Sequence, residues 1–383
     1  MPATEADEID DLRELFLHDV PLLDVRAPVE FAEGAFPTAE NHPLIDDDER
    51  QQIGITYKEE GQAQAIELGE QLVSGDLKAR RIAQWKAFLQ RNPNAVLYCF
   101  RGGMRSKTSQ RWLLEEAGIR CPRVRGGYKA MRGFLLEQIE RNSALCRPVV
   151  IGGRTGVGKT RLLARCSSQI DLERLAHHRG SAFGNHPQPQ PTQIDFENAF
   201  SIALMKLVSQ GNPYFAVEDE SRNIGSRHIP PVFYKRLETA PLVLLEASDE
   251  ERVDITLQEY VHDALAAFQQ DTDEQTGFRA WADYLQTSLD RIRKRLGGER
   301  HQRVSRMLQS AIEQHAQRGD TTGHRGWIAY LLHEYYDGMY SYQLAKKTTR
   351  IVFSGPGDAV LDYLRDRYQI ESKDARSADI NKA

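Results

Sequence analysis

Residues 148–160 read PVVIGGRTGVGKT, and this stretch decides the fold of the second half of the chain. The apolar run Pro148 to Ile151 predicts a buried strand. The pattern GxxxxGK followed by Ser or Thr spans Gly153 to Thr160, and a helix is predicted from Lys159 to about Ser167. A strand, a glycine-rich loop and a helix in this order bind phosphate, because the backbone N–H groups of the loop surround it.

The whole of this phosphate loop (P-loop) is a candidate ligand set. Its residues are Gly153, Arg154, Thr155, Gly156, Val157, Gly158, Lys159 and Thr160. Lys159 adds positive charge, and Thr160 can bind Mg²⁺. Asp219 follows the predicted strand Tyr214 to Val217 and is the candidate for positioning a metal or its water, with Glu218 and Glu220 as competitors. The motif does not decide between ATP and another phosphate compound, and no metal ligand is certain.

A second strand, loop and helix lie upstream, where residues 99–106 read CFRGGMRS. The apolar strand is predicted from Ala95 to Phe100, and the helix from Lys107 to Ala117. Backbone N–H groups converge on an anion at such a loop, and the helix dipole and arginines stabilise a thiolate. Cys99 is therefore the candidate catalytic nucleophile. The candidate anion ligands are Phe100, Arg101, Gly102, Gly103, Met104 and Arg105, and Ser106 suits the N-cap of the helix.

The remaining cysteines indicate structural roles. The four cysteines form no CxxC pair and no metal-ligand spacing, which predicts reduced thiols in a cytoplasmic protein. Cys121, Cys146 and Cys166 have no glycine and arginine surroundings like those of Cys99, so we expect them to be inert.

Composition limits the classes of function. A chain of 383 residues predicts two domains or more, and 40% hydrophobic with 27% charged residues is typical of a globular protein. No run of about eighteen apolar residues exists, so no membrane span or membrane partner is expected. The stretch Met1 to Asp11 is acidic and has no basic start or apolar core, so we expect no signal peptide. The net charge of −5 requires any nucleic acid to be held by local basic patches.

Strands that alternate with helices predict an α/β fold with mostly parallel sheets. We predict a boundary near Asn142 to Arg147. Residues 1–141 then form one α/β domain, residues 142–250 form the P-loop domain, and residues 251–383 form a helical region packed on the P-loop domain.

The first domain resembles a rhodanese domain. The resemblance is carried by LLDVR at 22–26, EF at 30–31, EGAFP at 33–37, NHPL at 41–44, the Cys99 loop and GGY at 126–128. Rhodaneses carry sulfur as a persulfide on this cysteine. Ala35 stands where a histidine is usual and Thr38 where a glycine is usual. The loop reads Cys-x5-Arg, one residue longer than in ordinary rhodaneses, and a wider loop suits a bulkier anion.

A rhodanese-like domain followed by a P-loop domain resembles the tRNA 2-selenouridine synthase family over nearly the whole chain. The supporting segments are GITYK at 54–58, LAHHRGSAFG at 175–184, QPQ at 188–190, EDES at 218–221 and YYD at 335–337. The resemblance implies a transferase that replaces sulfur with selenium in a tRNA carrying a wobble 2-thiouridine. The implied co-substrates are selenophosphate, supplied by a selenophosphate synthetase, and geranyl diphosphate, which makes an S-geranylated intermediate.

The resemblance also implies roles for the two loops. Cys99 would serve the selenium step, and Arg101, Arg105 and the loop amides would hold selenophosphate. Gly153, Gly158, Lys159 and Thr160 would hold the diphosphate of the prenyl donor. This second assignment is our hypothesis.

A tRNA substrate requires cationic surface. The strongest candidate is the basic stretch 291–295, with Arg291, Arg293, Lys294 and Arg295 as candidate tRNA ligands. Weaker candidates, each better explained as a solvated helix face, are residues 78–81, Arg300, Arg303, Lys346, Lys347 and Arg350. The tyrosines at 335, 336, 340 and 342 can stack on bases, but helical spacing favours a core role. His177, His178 and Arg179 fit a contact with ligand or a structural role.

Two other functions fit the same motifs. A Cys-x5-Arg phosphatase with a regulatory nucleotide-binding domain would release phosphate, but it leaves the basic stretch unexplained. A sulfurtransferase or nucleotide-switched binding module would use Cys99 only to relay sulfur between proteins. Bound, nuclease-sensitive RNA in the purified protein would favour the tRNA-modifying enzyme.

Overall fold

The structure is a computed structural model that describes residues 8–373. Within this range the chain forms two compact units. The first unit comprises residues 8–141 and 192–206, and the second comprises residues 142–191 and 207–373. The outer ends of the predicted first and last domains, residues 1–7 and 374–383, lie outside the described residues.

Twelve strands are described. They are β1 (Glu8–Ile9), β2 (Leu22–Asp24), β3 (Ala39–Asn41), β4 (Val96–Tyr98), β5 (Arg123–Val124), β6 (Arg147–Gly152), β7 (Gln169–Ile170), β8 (Tyr214–Glu218), β9 (Asn223–Ile224), β10 (Arg227–His228), β11 (Leu242–Leu245) and β12 (Ile351–Gly355).

Eighteen α-helices are described. They are α1 (Leu12–Leu17), α2 (Pro28–Glu33), α3 (Asp47–Glu59), α4 (Gln62–Leu72), α5 (Gly75–Arg91), α6 (Met104–Ala117), α7 (Gly127–Leu145), α8 (Lys159–Arg165), α9 (Leu172–Leu175), α10 (Gln193–Ser209), α11 (Pro231–Thr239), α12 (Asp249–Leu257), α13 (Ala264–Gln269), α14 (Glu274–Leu296), α15 (Gly298–Arg318), α16 (His324–Leu331), α17 (Gly338–Ala345) and α18 (Gly357–Tyr368). Two π-helical turns, Gln258–Asp263 and Leu332–Asp337, and a 3-10 turn, Thr348–Arg350, complete the order.

The sheet of the first unit has the strand order β1-β5-β4-β2-β3, and every pairing is parallel. Its central strand β4 is buried on both faces, as a parallel sheet covered on both sides requires. Val96 and Tyr98 pack into one apolar cluster, and Leu97 and Cys99 pack into the other. The alternation of side chains along the strand therefore places Cys99 on the face that carries the buried Trp85 and Trp112.

The sheet of the second unit has the order β12-β11-β6-β8-β7, again with every pairing parallel. Its middle strand β6 is the strand predicted before the P-loop, and β8 is the strand predicted at Tyr214 to Val217. A short antiparallel pair, β9 and β10, stands apart from both sheets. The predicted α/β class with parallel sheets is confirmed.

The end of the chain differs from the predicted helical region. Helices α12 to α16, with the two π-helical turns, form one apolar cluster around the buried Trp281 and Trp327. Beyond them, Ile351–Gly355 forms β12, which pairs with β11, and Val360 and Leu364 of α18 are buried in the cluster of this sheet. This strand was missed because an edge strand of five residues buries few of its side chains and leaves only a weak apolar pattern.

A second difference concerns residues 192–206, which we placed in the P-loop domain. They belong to the first unit, where Ile202 and Met205 of α10 join the cluster around Leu135. The hydroxyl of Ser201 donates to the carbonyl oxygen of Leu135 at 2.7 Å. Across residues 8–373, no helix combines the length and apolar character needed to cross a membrane.

Candidate functional site

The Cys99 loop connects β4 to α6 in the first unit. Cys99 is 3% exposed, and its thiol donates a hydrogen bond to the Ser106 hydroxyl at 3.3 Å. That hydroxyl in turn donates to the carbonyl oxygen of Gly103 at 3.0 Å. By rotating, the same hydroxyl can donate to a thiolate instead, so Ser106 serves either protonation state of the sulfur.

The expected start of α6 was wrong by three residues. The helix begins at Met104 with Gly103 as its N-cap, so Ser106 lies inside the first turn and does not cap it. Because Gly103 has no side chain, the N–H groups in the first turn of α6 receive no hydrogen bond from a capping side chain.

Two glycines from separate segments let the loop close against the start of α7. Gly102 and Gly127 have φ values of +64° and +57°, in the left-handed region that favours glycine. A Cβ atom on Gly127 would collide with the carbonyl oxygen of Cys99. The N–H of Tyr128 donates to that oxygen at 2.9 Å, and the N–H of Lys129 donates to the oxygen of Phe100 at 3.0 Å.

Arg105 and Arg101 have different surroundings. Both terminal nitrogens of Arg105 donate to the carboxylate of Glu30, one of them at 2.9 Å. Burial would raise the pKa of Glu30, but the hydrogen bonds and charge of Arg105 outweigh it and hold that pKa below its usual value. Arg101 is exposed, with its guanidinium 5.8 Å from the ring centre of Phe100. Arg105 therefore offers an anion only those N–H groups that Glu30 leaves, whereas Arg101 points its charge to solvent.

A buried ion pair supports the base of this loop. Asp24, at the end of β2, accepts hydrogen bonds from Arg26 at 2.6 Å and from the hydroxyl of Tyr98 at 2.6 Å. The guanidinium of Arg26 lies 3.9 Å from the ring centre of Tyr128. Both charges are fully buried, so removing either partner would leave the other as an uncompensated buried charge.

The P-loop connects β6 to α8 in the second unit. Gly156 and Gly158 have φ values of +82° and +83°, and a Cβ atom on Gly156 would lie 2.6 Å from the hydroxyl of Thr256 in α12. Lys159 donates to the carbonyl oxygen of Gly153 at 3.2 Å, so its ammonium lies across the loop. This is the arrangement in which a lysine meets the phosphates that the loop surrounds.

Arg252 of α12 braces the P-loop and was not found from the sequence. Its side chain is fully buried, and its Nε donates to the carbonyl oxygen of Thr155 at 3.0 Å. Its terminal nitrogens donate to Asp337 at 3.0 and 2.5 Å and to Asp249 at 3.0 Å. Asp337 also accepts from Arg154 of the loop at 3.3 Å. The chain separation between Thr155 and Arg252 left no local pattern to reveal this contact.

The carboxylates beside the P-loop differ from the predicted set. Thr160 donates to Glu173 at 3.2 Å, and Glu173 was not predicted. Asp219 accepts two hydrogen bonds from Lys347, at 2.7 and 2.8 Å, so its charge is already paired. Burial raises the pKa of Glu173, Glu218 and Glu220, and neighbouring carboxylates add to that rise for Glu218 and Glu220.

A cavity of about 750 Å³, here called the P-loop cavity, adjoins these groups. Its walls include Gly153, Thr155, Lys159, His178, Asp219, Glu220, Arg291, Lys294, Arg295, Tyr335, Tyr336 and Tyr340. The basic stretch and the tyrosines, which the sequence treated as separate features, therefore meet at one cavity. Arg293 is exposed and is not among the cavity residues.

The tyrosines and histidines of this cavity are mostly buried. Tyr336 is 5% exposed and belongs to the helical core, as its helical spacing favoured. Burial and the charge of Asp219 raise the pKa of Tyr340 to about 12. His178 accepts from the N–H of Gly180 at 3.1 Å, and burial lowers its pKa. The ring of His177 stacks on His186 at 4.2 Å. These contacts fit a structural role for both histidines, and His178 also faces the cavity.

The other cysteines are buried, and two of the weaker basic candidates, Arg81 and Arg350, are held by hydrogen bonds within the fold. All four cysteines are buried free thiols, and burial raises the pKa of Cys121 to about 12 and of Cys146 and Cys166 to about 11. Arg81 is 7% exposed and donates to Glu49 at 2.8 Å, and Arg350 donates to the carbonyl oxygen of Ala240 at 2.9 Å.

Comparisons with known proteins match this architecture. The family model for the tRNA 2-selenouridine synthase AAA domain matches residues 146–371. A tRNA 2-selenouridine synthase from Bordetella petrii is 51% identical over 359 residues, which cover 94% of this chain and 96% of that protein. The synthases from Bordetella bronchiseptica and Marinobacter nauticus are 53% and 48% identical to this chain, and the matched regions cover 96% and 98% of those two proteins. The chain belongs to the tRNA 2-selenouridine synthase family.

Proposed function

We propose that this enzyme replaces the sulfur of 2-thiouridine at the tRNA wobble position with selenium from selenophosphate, after a geranyl group from geranyl diphosphate has been placed on that sulfur. Family membership supports the overall reaction. The observation that carries the detailed proposal is that in each unit a glycine-bearing loop connects a strand of the parallel sheet to a helix. Cys99 follows a strand of one parallel sheet, and Lys159 follows a strand of the other.

The Cys99 loop suits the selenium step. Arg101 gives an exposed charge for selenophosphate, and Arg105, with the loop amides, supplies further donors. Ser106 can hold the sulfur of Cys99 as thiol or thiolate, which a nucleophile requires. The carboxylate of Glu30 keeps Arg105 in place beside the loop.

The P-loop suits the diphosphate of the prenyl donor. Lys159 and the loop amides can hold its oxygens, and Arg252 keeps the loop carbonyl of Thr155 in place. A hydroxyl and a carboxylate, Thr160 and Glu173, are the kinds of ligand that Mg²⁺ takes together with substrate phosphates. Within residues 8–373 no group of three His, Cys, Asp or Glu side chains could hold a metal ion, so oxygens of the diphosphate would have to complete the coordination of Mg²⁺.

The tRNA partner is expected at the P-loop cavity, where Arg291, Lys294 and Arg295 meet the half-buried rings of Tyr335 and Tyr340. Guanidinium groups bind backbone phosphates, and aromatic rings stack on unpaired bases such as those of an anticodon loop. The acidic net charge makes this local patch necessary.

The test is mass spectrometry of nucleosides from thiolated tRNA incubated with protein, selenophosphate and geranyl diphosphate, with each donor omitted in turn. We expect Cys99→Ser to abolish 2-selenouridine while the S-geranyl product still forms, and Lys159→Ala to abolish geranylation. Cys121→Ser is the matched control, because this buried thiol contacts the carbonyl oxygen of Ala95, which precedes β4, whereas Cys99 follows β4.

Two outcomes contradict the proposal. Selenium incorporation by Cys99→Ser would remove Cys99 from the reaction, and full geranylation by Lys159→Ala would remove the prenyl diphosphate from the P-loop. Phosphate release from phosphorylated substrates without any tRNA product would instead favour a Cys-x5-Arg phosphatase.

A further inference from the structure

A second cavity lies entirely within the first unit, between α3, α4 and α6, and has a volume of about 470 Å³. The proposed function does not use it. Volumes of about 300–1,000 Å³ are typical of small-molecule sites. A protein partner, in contrast, needs about 800 Å² of surface on each side. The dimensions therefore favour a small ligand or one part of a larger substrate.

The inner wall of this cavity is apolar. Ala65 lies in α4 and is 5% exposed, and Val73 follows the end of α4 and is 2% exposed. Trp112 of α6 is 5% exposed. Ile53 and Ile66 complete the wall from α3 and α4. Branched aliphatic walls bury hydrocarbon well, but they offer few partners for the polar edges of a nucleobase.

The cavity adjoins the Cys99 loop. Met104 and Arg105, the first two residues of α6, line the cavity and also end the predicted anion-binding loop. Met104 and Tyr57 at the cavity are 48% and 58% exposed, so apolar surface remains available to a ligand. A hydrocarbon chain in this cavity would thus have its polar end beside a cation and the loop of the nucleophile.

We propose that this cavity takes the isoprenoid chain that the wobble base carries on its sulfur during the selenium step. The inference rests on the proposed function, because that function supplies a geranylated substrate. It assigns the chain a place in the first unit, beside Cys99, while the P-loop keeps the diphosphate of the donor.

The step balances without an oxidant or reductant. The thiolate of Cys99 forms a bond to carbon 2 of the base, and the bond between this carbon and the geranylated sulfur breaks. That sulfur leaves with its geranyl group and takes a proton from solvent. The selenium of selenophosphate then bonds to carbon 2, and the thiolate of Cys99 leaves unchanged. Water then takes the phosphoryl group from selenium and gives inorganic phosphate and 2-selenouridine. The cavity holds the leaving group throughout, which fixes the sulfur relative to the loop.

The test compares two substrates of the same reaction, tRNA with S-geranyl-2-thiouridine and tRNA with S-methyl-2-thiouridine, each with selenophosphate. We expect Ala65→Phe, which fills the cavity from α4, to lower kcat/KM for the geranyl substrate about 10-fold or more. The methyl substrate, which does not reach the cavity, keeps its wild-type kcat/KM. Thr108→Phe fills the cavity from α6 and gives the same pattern if Ala65→Phe does not fold.

Ala63→Phe is the matched control, because Ala63 lies on the same helix but is exposed and does not line the cavity. Equal losses on both substrates, or no loss on either, would overturn the inference and leave the proposed function intact. No selenium product from the wild-type protein with either substrate would overturn both. A third outcome is that the cavity-filling variants lose only the reaction of thiolated tRNA with free geranyl diphosphate. This outcome would assign the cavity to the prenyl donor and overturn its assignment to the geranylated base.

Fluorescence gives a readout that needs no turnover. Trp112 lines the cavity, and its ring lies 6.4 Å from that of Trp85. We expect S-geranyl-2-thiouridine nucleoside to change the tryptophan emission of the full chain, with S-methyl-2-thiouridine as the unchanged reference. The change should disappear in Trp112→Phe. An identical response in that variant would show that the nucleoside binds elsewhere and would overturn the inference.

Discussion

Glu30 contributes to the Cys99 loop through charge, and its effect depends on pH in a defined direction. Burial opposes ionisation, but Arg105 outweighs it, so the folded-state pKa of Glu30 lies below its ordinary value of 4.5. A carboxyl with a depressed pKa stabilises the fold above its unfolded-state pKa, and this contribution is lost as pH falls through the folded-state value. We expect Glu30→Gln to lower the free energy of unfolding at pH 7 by about 1–3 kcal/mol.

Urea unfolding at a series of pH values measures this effect. The difference between wild type and Glu30→Gln should shrink as pH falls below 4.5, because the wild-type carboxyl then becomes protonated as well. Glu33→Gln, at an exposed position at the end of the same helix, is the control and should change stability little. A difference that stays constant from pH 7 to strongly acidic solution would show that packing, not charge, accounts for the effect of Glu30.

At the scale of elements, the close approach of the Cys99 loop to α7 depends on Gly127. Two substitutions distinguish the cost of its left-handed backbone conformation from the cost of a steric clash with neighbouring backbone. Gly127 and Gly118 both have positive φ, +57° and +66°, but only at Gly127 does a Cβ atom meet neighbouring backbone. We expect Gly118→Ala to cost about 1–3 kcal/mol, from left-handed strain alone. Gly127→Ala should cost more and should also impair the selenium step, because the carbonyl of Cys99 must move.

Thermal unfolding and selenium incorporation measure the two effects. Equal losses of stability in the two variants, with full activity in both, would mean that the loop adapts to a side chain at Gly127. The open space around Gly118 makes it a matched reference, since no heavy atom lies within 4 Å of its added Cβ.

The elements that bear the two loops were predictable because their signals are local. An apolar run of a few residues, then glycines, then a helix pattern identified β4 with α6 and β6 with α8. The same reasoning misplaced the start of α6, because a serine that can cap a helix can equally bond to a thiol and a carbonyl inside the first turn.

Contacts between distant segments were not predictable from one sequence. Arg252 meets Thr155 across 97 residues, and Lys347 neutralises Asp219 across 128. Neither pair belongs to a motif with fixed spacing. Glu173 lies only 13 residues beyond Thr160, but a single glutamate in a polar segment carries no pattern of its own. The strand, loop and helix of the P-loop were thus accessible from the sequence, whereas the charged side chains that contact this loop required the fold.

On the scale of the whole molecule, the two units have the same arrangement of strand, loop and helix at the middle of a parallel sheet. Each has a parallel sheet of five strands, and in each a middle strand ends in a glycine-bearing loop that leads into a helix. Parallel strands place their carboxyl ends, and so these loops, at one edge of the sheet. One loop contains a thiol and the other an ammonium, which suits a nucleophilic step and the binding of a phosphate ester respectively.

The net charge of −5 gives the protein no overall attraction to nucleic acid, so a tRNA substrate requires local basic patches. If the P-loop cavity holds the tRNA, Arg291→Gln and Arg295→Gln should each weaken binding and reduce the slope of log affinity against log salt by about 1. Arg293→Gln is the matched control, since this exposed residue belongs to the same stretch but not to the cavity. Filter binding of thiolated tRNA between about 50 and 200 mM salt measures all three slopes. Equal reductions of the slope in the three variants would indicate a diffuse electrostatic attraction around α14. An effect of Arg293→Gln alone would place the RNA on the face of that helix that does not line the cavity.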